Sequence, residues 1–247
     1  MIRKIKNTLR PLKVFVQMID GYLIAKYNSF VNKDFMCNAD TQRCFYNKKS
    51  PNYKYEYFGK NTPVCCATHL YEILRDVTKV LEENNLEYFI SFGTLLGAAR
   101  HGGMIPWDTD VDILIPDENR KEVFRILNQT FQNSSYVVVE DRDDSIVGNL
   151  IRVNYSKNNS LHIDLFTYLN NQDSIAFGYN RSFQKDDIFP LKKIHFYDLK
   201  IYGPKNIDLH LGSIYGDNYM DYGYKQWAFN KSKFKITDYS PARIEKQ

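Results

Sequence analysis

Residues 91–116 read SFGTLLGAARHGGMIPWDTDVDILIP, and the stretch changes periodicity twice. EYFISFG, residues 87–93, reads as a strand ending at Gly93; TLLGAARHG, residues 94–102, reads as a short helix; VDILIP, residues 111–116, reads as a second strand closed by Pro116. Between helix and second strand, Asp108, Asp110 and Asp112 stand at every second position. In extended chain Asp110 and Asp112 share one face, while Val111 and Ile113 turn to the other, toward a core. Two neighbouring carboxylates repel each other. Such a pair is expected beside a cation, in open water, or on a metal ion.

Working outward, Asp164 in LHIDLFTY is flanked by Ile163 and Leu165, which puts a further carboxylate on a strand whose neighbours face the core. Three strand-borne carboxylates at one sheet edge make a site for a hard cation. Mg²⁺ or Mn²⁺ prefers oxygen ligands and keeps positions for water and substrate phosphate, a coordination suited to phosphoryl transfer. Gly93 permits close approach of the backbone, and Thr94 opens a helix whose N-terminal amides can hold a phosphate. Arg100 and His101 either add positive charge to that substrate site or form a basic pair facing the helix dipole. A solvated turn is the alternative for Asp108, Asp110 and Asp112, but the Gly-Thr turn, the apolar strand and Asp164 favour the metal. Trp107 is expected to pack and fix the turn.

Further out, THLYEILRDVTKVLEENN (68–85) puts Leu70, Ile73, Leu74, Val77 and Leu81 on one helical face with Thr68 as N-cap. Asp117 is placed to cap ENRKEVFRILNQTF, with Val123, Phe124, Leu127 and Phe131 as its stripe. SYVVVE (135–140) and NLIRVNYSKNNSLHIDLFTYL (149–169) read as strands, the latter folded at SKNNS; DIFPLKKIHFYDLKIYGP (187–204) reads as a later hairpin. This order predicts an α/β (α+β) fold built on a sheet of mixed strand directions. The expected organisation is an N-terminal basic segment, 1–36, then one domain, 37–247, with a cysteine-bearing loop at 37–66, a core at 68–168 and a C-terminal cap at 170–247.

A chain of 247 residues with 43% hydrophobic content can build a sizeable core, and a formal charge of +4 is too small to mark a dedicated nucleic-acid binder. No nucleic-acid partner is expected. MIRKIKNTLRPLKVFVQMIDGYLIAKY (1–27) alternates basic and apolar residues, and its apolar run is broken by Gln17 and Asp20. It lacks the continuity of a transmembrane helix or secretory signal. It is either a helix packed on the domain or a basic amphipathic segment touching an anionic membrane, so a cytoplasmic or peripheral-membrane location is expected.

All four cysteines, Cys37, Cys44, Cys65 and Cys66, lie in one polar, Tyr- and Asn-rich stretch. Two disulfides fit an oxidising compartment, although adjacent Cys65 and Cys66 make that pairing awkward. Four thiolates on one structural Zn²⁺ fit as well, although the spacing is not that of C-x₂-C pairs. The residues alone leave both open.

The stretch FGTLLGAARHGGMIPWDTDVDI (92–113) resembles the signature of the LicD/fukutin family, in which a small-residue turn and a helix lead into R-H-x-G-x-I-P-W-D-D-D-x-D. The interval from Gly93-Thr94 to Asp110 is longer than in the general nucleotidyltransferase pattern, and the LicD-like helix accounts for it. The resemblance implies a nucleotidyltransferase-like mixed sheet, a divalent-cation site at Asp110, Asp112 and Asp164 with Asp108 adjacent, and a zinc-binding loop built from Cys37, Cys44, Cys65 and Cys66. It implies transfer of an alditol phosphate or phosphocholine from a CDP-linked donor (CDP-ribitol, CDP-glycerol or CDP-choline) to a glycan hydroxyl, with release of CMP. Asp164 would complete the metal shell or accept the hydroxyl proton. Nucleotidyl transfer to a small molecule or RNA uses the same metal chemistry and is the alternative. A non-catalytic glycan-binding module is a third reading, and one that gives the clustered carboxylates no purpose.

Overall fold

The computed structural model describes residues 37–41, 62–143, 148–178, 181–227 and 230–245; the basic segment 1–36 and Cys44 lie outside them. The first described helix, α1, is Val64–Glu83, starting four residues before the predicted cap. Thr68 is not that cap. Its Oγ1 donates to the Val64 carbonyl at 2.8 Å from inside the helix, while Pro63 occupies the N-cap without a side-chain cap bond. Burial decides the start: Cys65, Cys66 and Ala67 are as enclosed as Leu70, Ile73, Leu74, Val77 and Leu81. At roughly 1.5–3 kcal/mol per large buried apolar side chain, this face outweighs a cap worth about 1 kcal/mol.

Strand β1 is only Phe89–Ile90. The strand expected to reach Gly93 stops there, because Ser91 becomes the N-cap of α2, Phe92–His101, and Gly93 and Thr94 fall in its first turn. Phe92 turns the corner with φ 47°, a left-handed conformation costing a bulky residue roughly 1–2 kcal/mol. Its ring is held edge-on by Phe166 and Phe177, at 5.9 and 5.8 Å. Strand β2, Val111–Pro116, leads through a 3₁₀ turn, Asp117–Asn119, into α3, Arg120–Phe131, whose N-cap is Asn119. Asp117 therefore lies in the turn, and it does not cap the helix as the sequence suggested.

Strands β3, Val137–Asp143, β4, Gly148–Asn154, and β5, His162–Asn170, complete the central sheet in the order β1-β2-β5-β4-β3. β2 and β5 run parallel, whereas β1–β2, β4–β5 and β3–β4 are antiparallel, so the strand directions are mixed as predicted. The SKNNS turn joins β4 to β5, with the Ser156 hydroxyl accepting from the Asn158 and Asn159 amides at 3.1 and 2.9 Å. On one face of the sheet Val111, Ile113, Ile115, Ile151, Val153, Ile163 and Leu165 pack against the stripes of α1 and α3. On the other, Leu114, Leu150, Phe166 and Tyr168 join a second apolar cluster.

That second cluster is roofed by β6, Ser174–Phe177, β7, Arg181–Gln184, and a short helix α4, Lys185–Ile188, with Ile175, Phe177, Phe183 and Ile188 inside it. The predicted late hairpin is present as β8, Lys192–Phe196, and β9, Leu199–Gly203. After it come α5, Ile207–Tyr215, and a hairpin of β10, Tyr222–Trp227, with β11, Asn230–Lys235; the loosened patterning of this region predicted neither. Among the described residues, no helix is long and apolar enough to cross a membrane.

Candidate active site

Strand register brings the carboxylates together. Asp112 on β2 is the direct parallel partner of Asp164 on β5, and Asp164 is in turn the antiparallel partner of Arg152 on β4. The three side chains form a row on the face that carries the second apolar cluster, at the end where Leu114, Phe166 and Leu150 give way to polar residues. Asp110 precedes β2 by one residue and extends the row along its own strand. Asp164 is largely buried, with 8% of its surface exposed, and it is gripped by a fork: Arg152 donates Nε to Oδ1 at 2.8 Å and Nη2 to Oδ2 at 3.0 Å. His162 Nε2 lies 3.8 Å from Oδ2. Arg152 also donates Nη1 to Asp141 at 3.0 Å, and the fork on Asp164 strengthens its hold on its proton.

The first turn of α2 is laced to this row through the backbone. Thr94 Oγ1 accepts from the Asp112 amide at 2.8 Å, and the Ser91 amide donates to the Asp112 carbonyl at 3.3 Å. Asp108 folds back on the same turn: a Cβ placed on Gly93 would stand 2.6 Å from Asp108 Oδ2, so a side chain at 93 would displace the carboxylate from this position. Asp108 Oδ1 accepts from the Thr109 amide at 3.0 Å, and its carbonyl accepts from the Thr62 hydroxyl.

Arg100 and His101 are both buried at the other end of α2. Arg100 Nη1 donates to the carbonyls of Tyr219 and Tyr222 at 2.9 and 3.3 Å, and its Nε donates to His101 Nε2 at 2.9 Å. That leaves the His101 proton on Nδ1, facing the Ser240 carbonyl at 3.1 Å. Burial and the Arg100 charge push the imidazole down to about 4, so it is neutral. The pair ties α2 to the C-terminal segment. Trp107 packs as expected, edge-on to His101 at 6.0 Å and against Phe234 at 5.6 Å.

Three residues that the sequence left unassigned belong to this region. Arg152 is one. Tyr215, at the end of α5, is a second: burial, then the charges of Asp112, Asp108 and Asp110, push its phenol far above the ordinary range, while Arg100 opposes them. His210, on the same helix, is the third. Its Nε2 lies 2.8 Å from the Ser91 hydroxyl, with both residues fully enclosed, and its ring stacks on Phe183 and Phe177 at 4.7 and 5.7 Å. This contact turns Ser91 away from capping α2. Burial, aided by Arg181, lowers His210 to about 4. A lone histidine in an apolar helix gives no sequence signal of such a role.

The donor chemistry at Asp110, Asp112 and Asp164 fits a hard cation. The Arg152 fork occupies a lone pair on each Asp164 oxygen, so a cation there competes with the guanidinium. Among the described residues, Cys37, Cys65 and Cys66 form the set of metal-binding side chains whose ligand atoms all lie within 4.8 Å of one another.

These cysteines are buried, Cys65 and Cys66 in the first turn of α1 and Cys37 beside them. Cys37 Sγ and Cys65 Sγ are 3.7 Å apart, too far for a bonded pair. The edge of a tetrahedron with metal–sulfur bonds of about 2.3 Å is about 3.8 Å, so the spacing fits zinc thiolates. His69 stands behind them, with Nε2 2.8 Å from the Cys37 carbonyl and Nδ1 3.2 Å from Glu72, stacked on Tyr155 at 4.0 Å. Burial opposes its charge, but hydrogen bonds to Cys37 and Glu72 outweigh it and raise the imidazolium to about 10.

Residues 85–206 match the family described as LicD/FKTN/FKRP, nucleotidyltransferase domain. That region is a LicD/fukutin-related domain. The mouse (Mus musculus) ribitol 5-phosphate transferase FKRP is 39% identical over 140 residues, which cover 54% of this chain and 27% of the mouse protein. The protein RP689 of Rickettsia prowazekii (strain Madrid E) is 33% identical over 157 residues, 62% of this chain and 54% of the relative. The lipopolysaccharide cholinephosphotransferase LicD of Haemophilus influenzae is 40% identical over 53 residues, 22% of this chain and 19% of that protein. The chain thus spans about a quarter of the mouse transferase and about half of the rickettsial protein.

Proposed function

We propose that this chain is a metal-dependent phosphotransferase that moves an alditol phosphate or phosphocholine from a CDP-linked donor to a hydroxyl of a glycan. The observation that carries the reading is the row Asp112–Asp164 in direct parallel register, with Asp110 beside it and Asp108 folded onto Gly93, in a LicD-family domain. The relatives' names supply the two donor classes, ribitol phosphate and phosphocholine.

The acceptor oxygen attacks the phosphorus that carries the alcohol, and the bond from that phosphorus to the oxygen of CMP breaks, so CMP departs with the electron pair. Asp110, Asp112 and Asp164 would hold Mg²⁺ or Mn²⁺, which when bound offsets charge on the diphosphate and on the leaving oxygen. Asp164 would complete that metal shell or accept the proton of the attacking hydroxyl. The first turn of α2, fixed to Asp112 through Thr94, presents its amides to a phosphate. Arg100 and His101 support the reaction from behind by holding α2, because their polar atoms are committed to the C-terminal segment. Cys37, Cys65 and Cys66, with Cys44 as fourth ligand, would hold a structural Zn²⁺ that fixes the start of α1.

The reading is tested by supplying CDP-ribitol, CDP-glycerol, CDP-choline and CTP with Mg²⁺ and a panel of glycans, and quantifying CMP and pyrophosphate. Acceptor-dependent CMP from one CDP-alcohol supports it. Pyrophosphate from CTP would move the assignment to nucleotidyl transfer.

A further inference from the structure

The carboxylate row contains its own cation. Arg152 is the cross-strand neighbour of Asp164 and takes both of its oxygens in a fork at 2.8 and 3.0 Å. Its third nitrogen is anchored to Asp141 at 3.0 Å, about half of whose side chain is exposed. A two-pronged contact of guanidinium with carboxylate is among the stronger charge-assisted hydrogen bonds, and here it is partly shielded from water, since the Asp164 side chain is only 11% exposed. The same carboxylate is the one that must join Asp110 and Asp112 around a divalent cation, and it is the direct register partner of Asp112. An arriving cation therefore meets a ligand already neutralised, and it meets the repulsion of a positive charge one strand away.

We propose that Arg152 is the resident counter-ion of the carboxylate row, which a divalent cation must displace from Asp164, so that the cation binds weakly alone and firmly only together with substrate phosphate. The inference rests on the metal reading of Asp110, Asp112 and Asp164. When the cation enters, Asp164 turns one or both oxygens from Arg152 toward Asp112, and Arg152 retains Asp141. The charge is rebalanced by the phosphates that accompany the cation. Fixed, opposed charges thereby keep the site closed to a bare ion.

The test is Mn²⁺ binding to the purified, zinc-loaded protein, read from the electron paramagnetic resonance of unbound Mn²⁺, with and without CDP as the diphosphate probe. Arg152→Gln is expected to bind Mn²⁺ about tenfold tighter than wild type without CDP, because a nearby positive charge is gone, and to gain less from CDP. Arg152→Lys, which keeps the charge, stays within about threefold of wild type. Asp141→Asn removes the second anchor and leaves Arg152 to Asp164 alone, so Mn²⁺ binds more weakly; this variant serves if Arg152→Gln melts. Asp164→Asn binds weakly whatever stands at 152. Unchanged or weaker Mn²⁺ binding in folded Arg152→Gln, with Asp164→Asn still weak, overturns the counter-ion and leaves the metal site standing. Equal Mn²⁺ binding by wild type and Asp164→Asn in the presence of CDP overturns the metal reading of Asp164, and the counter-ion with it.

Discussion

Gly93 shows how one missing atom shapes the site. Its Cα lies against the Asp108 carboxylate, and a methyl there would stand 2.6 Å from Oδ2. Gly93→Ala must push Asp108 off the first turn of α2, while the helix itself tolerates alanine. The expected result is at least a tenfold loss of transfer with a melting temperature close to wild type; full activity would mean that Asp108 and Gly93 are idle. His210 makes a different claim, about acid stability. It is fully buried and lowered to about 4, against about 6.5 in an unfolded chain. Between those values the unfolded chain takes up a proton that the folded one refuses, so stability falls as pH drops from about 6.5 to about 4, by up to about 3 kcal/mol. His101, also lowered to about 4, acts in the same direction. His210→Phe fills the aromatic slot without titrating, and its denaturant midpoint should change less between pH 7 and pH 4.5 than that of wild type. An unchanged slope would contradict the buried neutral histidine.

At the scale of elements, α2 is coupled to β2 by a side chain, and α1 is coupled to the cysteine cluster. Thr94→Val removes the acceptor for the Asp112 amide and should cost about 0.5–1.5 kcal/mol for the lost hydrogen bond, with activity falling alongside; chemical denaturation and the transfer rate together check this. Cys66→Ala should remove bound zinc and lower the melting temperature, whereas unchanged zinc content would exclude Cys66 as a ligand. The strands and helices that run for several residues with one strong periodicity were legible: α3, β2, β5 and the β8–β9 hairpin. What sequence missed has physical causes. Helix α1 begins at Val64 because buried cysteines extend its apolar face, a signal that competes with the ordinary attraction of a threonine cap. Strand β1 ends early because Phe92 adopts a positive φ, which only long-range packing with Phe166 and Phe177 sustains. Asp164 was legible from its flanks, but its partner Arg152 was not, since a lone arginine in a strand names no neighbour until register is known.

For the whole molecule, the sheet divides the labour. One face is apolar from end to end and holds α1 and α3; the other is apolar only at one end and carries the carboxylate row at the opposite one. The C-terminal segment closes over α2 through Arg100, His101 and Trp107, so its removal should disturb the site as well as the fold. The most direct measurement of the central claim is acceptor-dependent release of CMP from a CDP-linked alcohol by zinc-loaded wild type and by Asp110→Ala, with Mg²⁺ present or omitted. Release by wild type is expected to require Mg²⁺ and to fall at least a hundredfold in Asp110→Ala, with both proteins melting alike. Wild-type rates in Asp110→Ala, or release that persists without Mg²⁺, would contradict it.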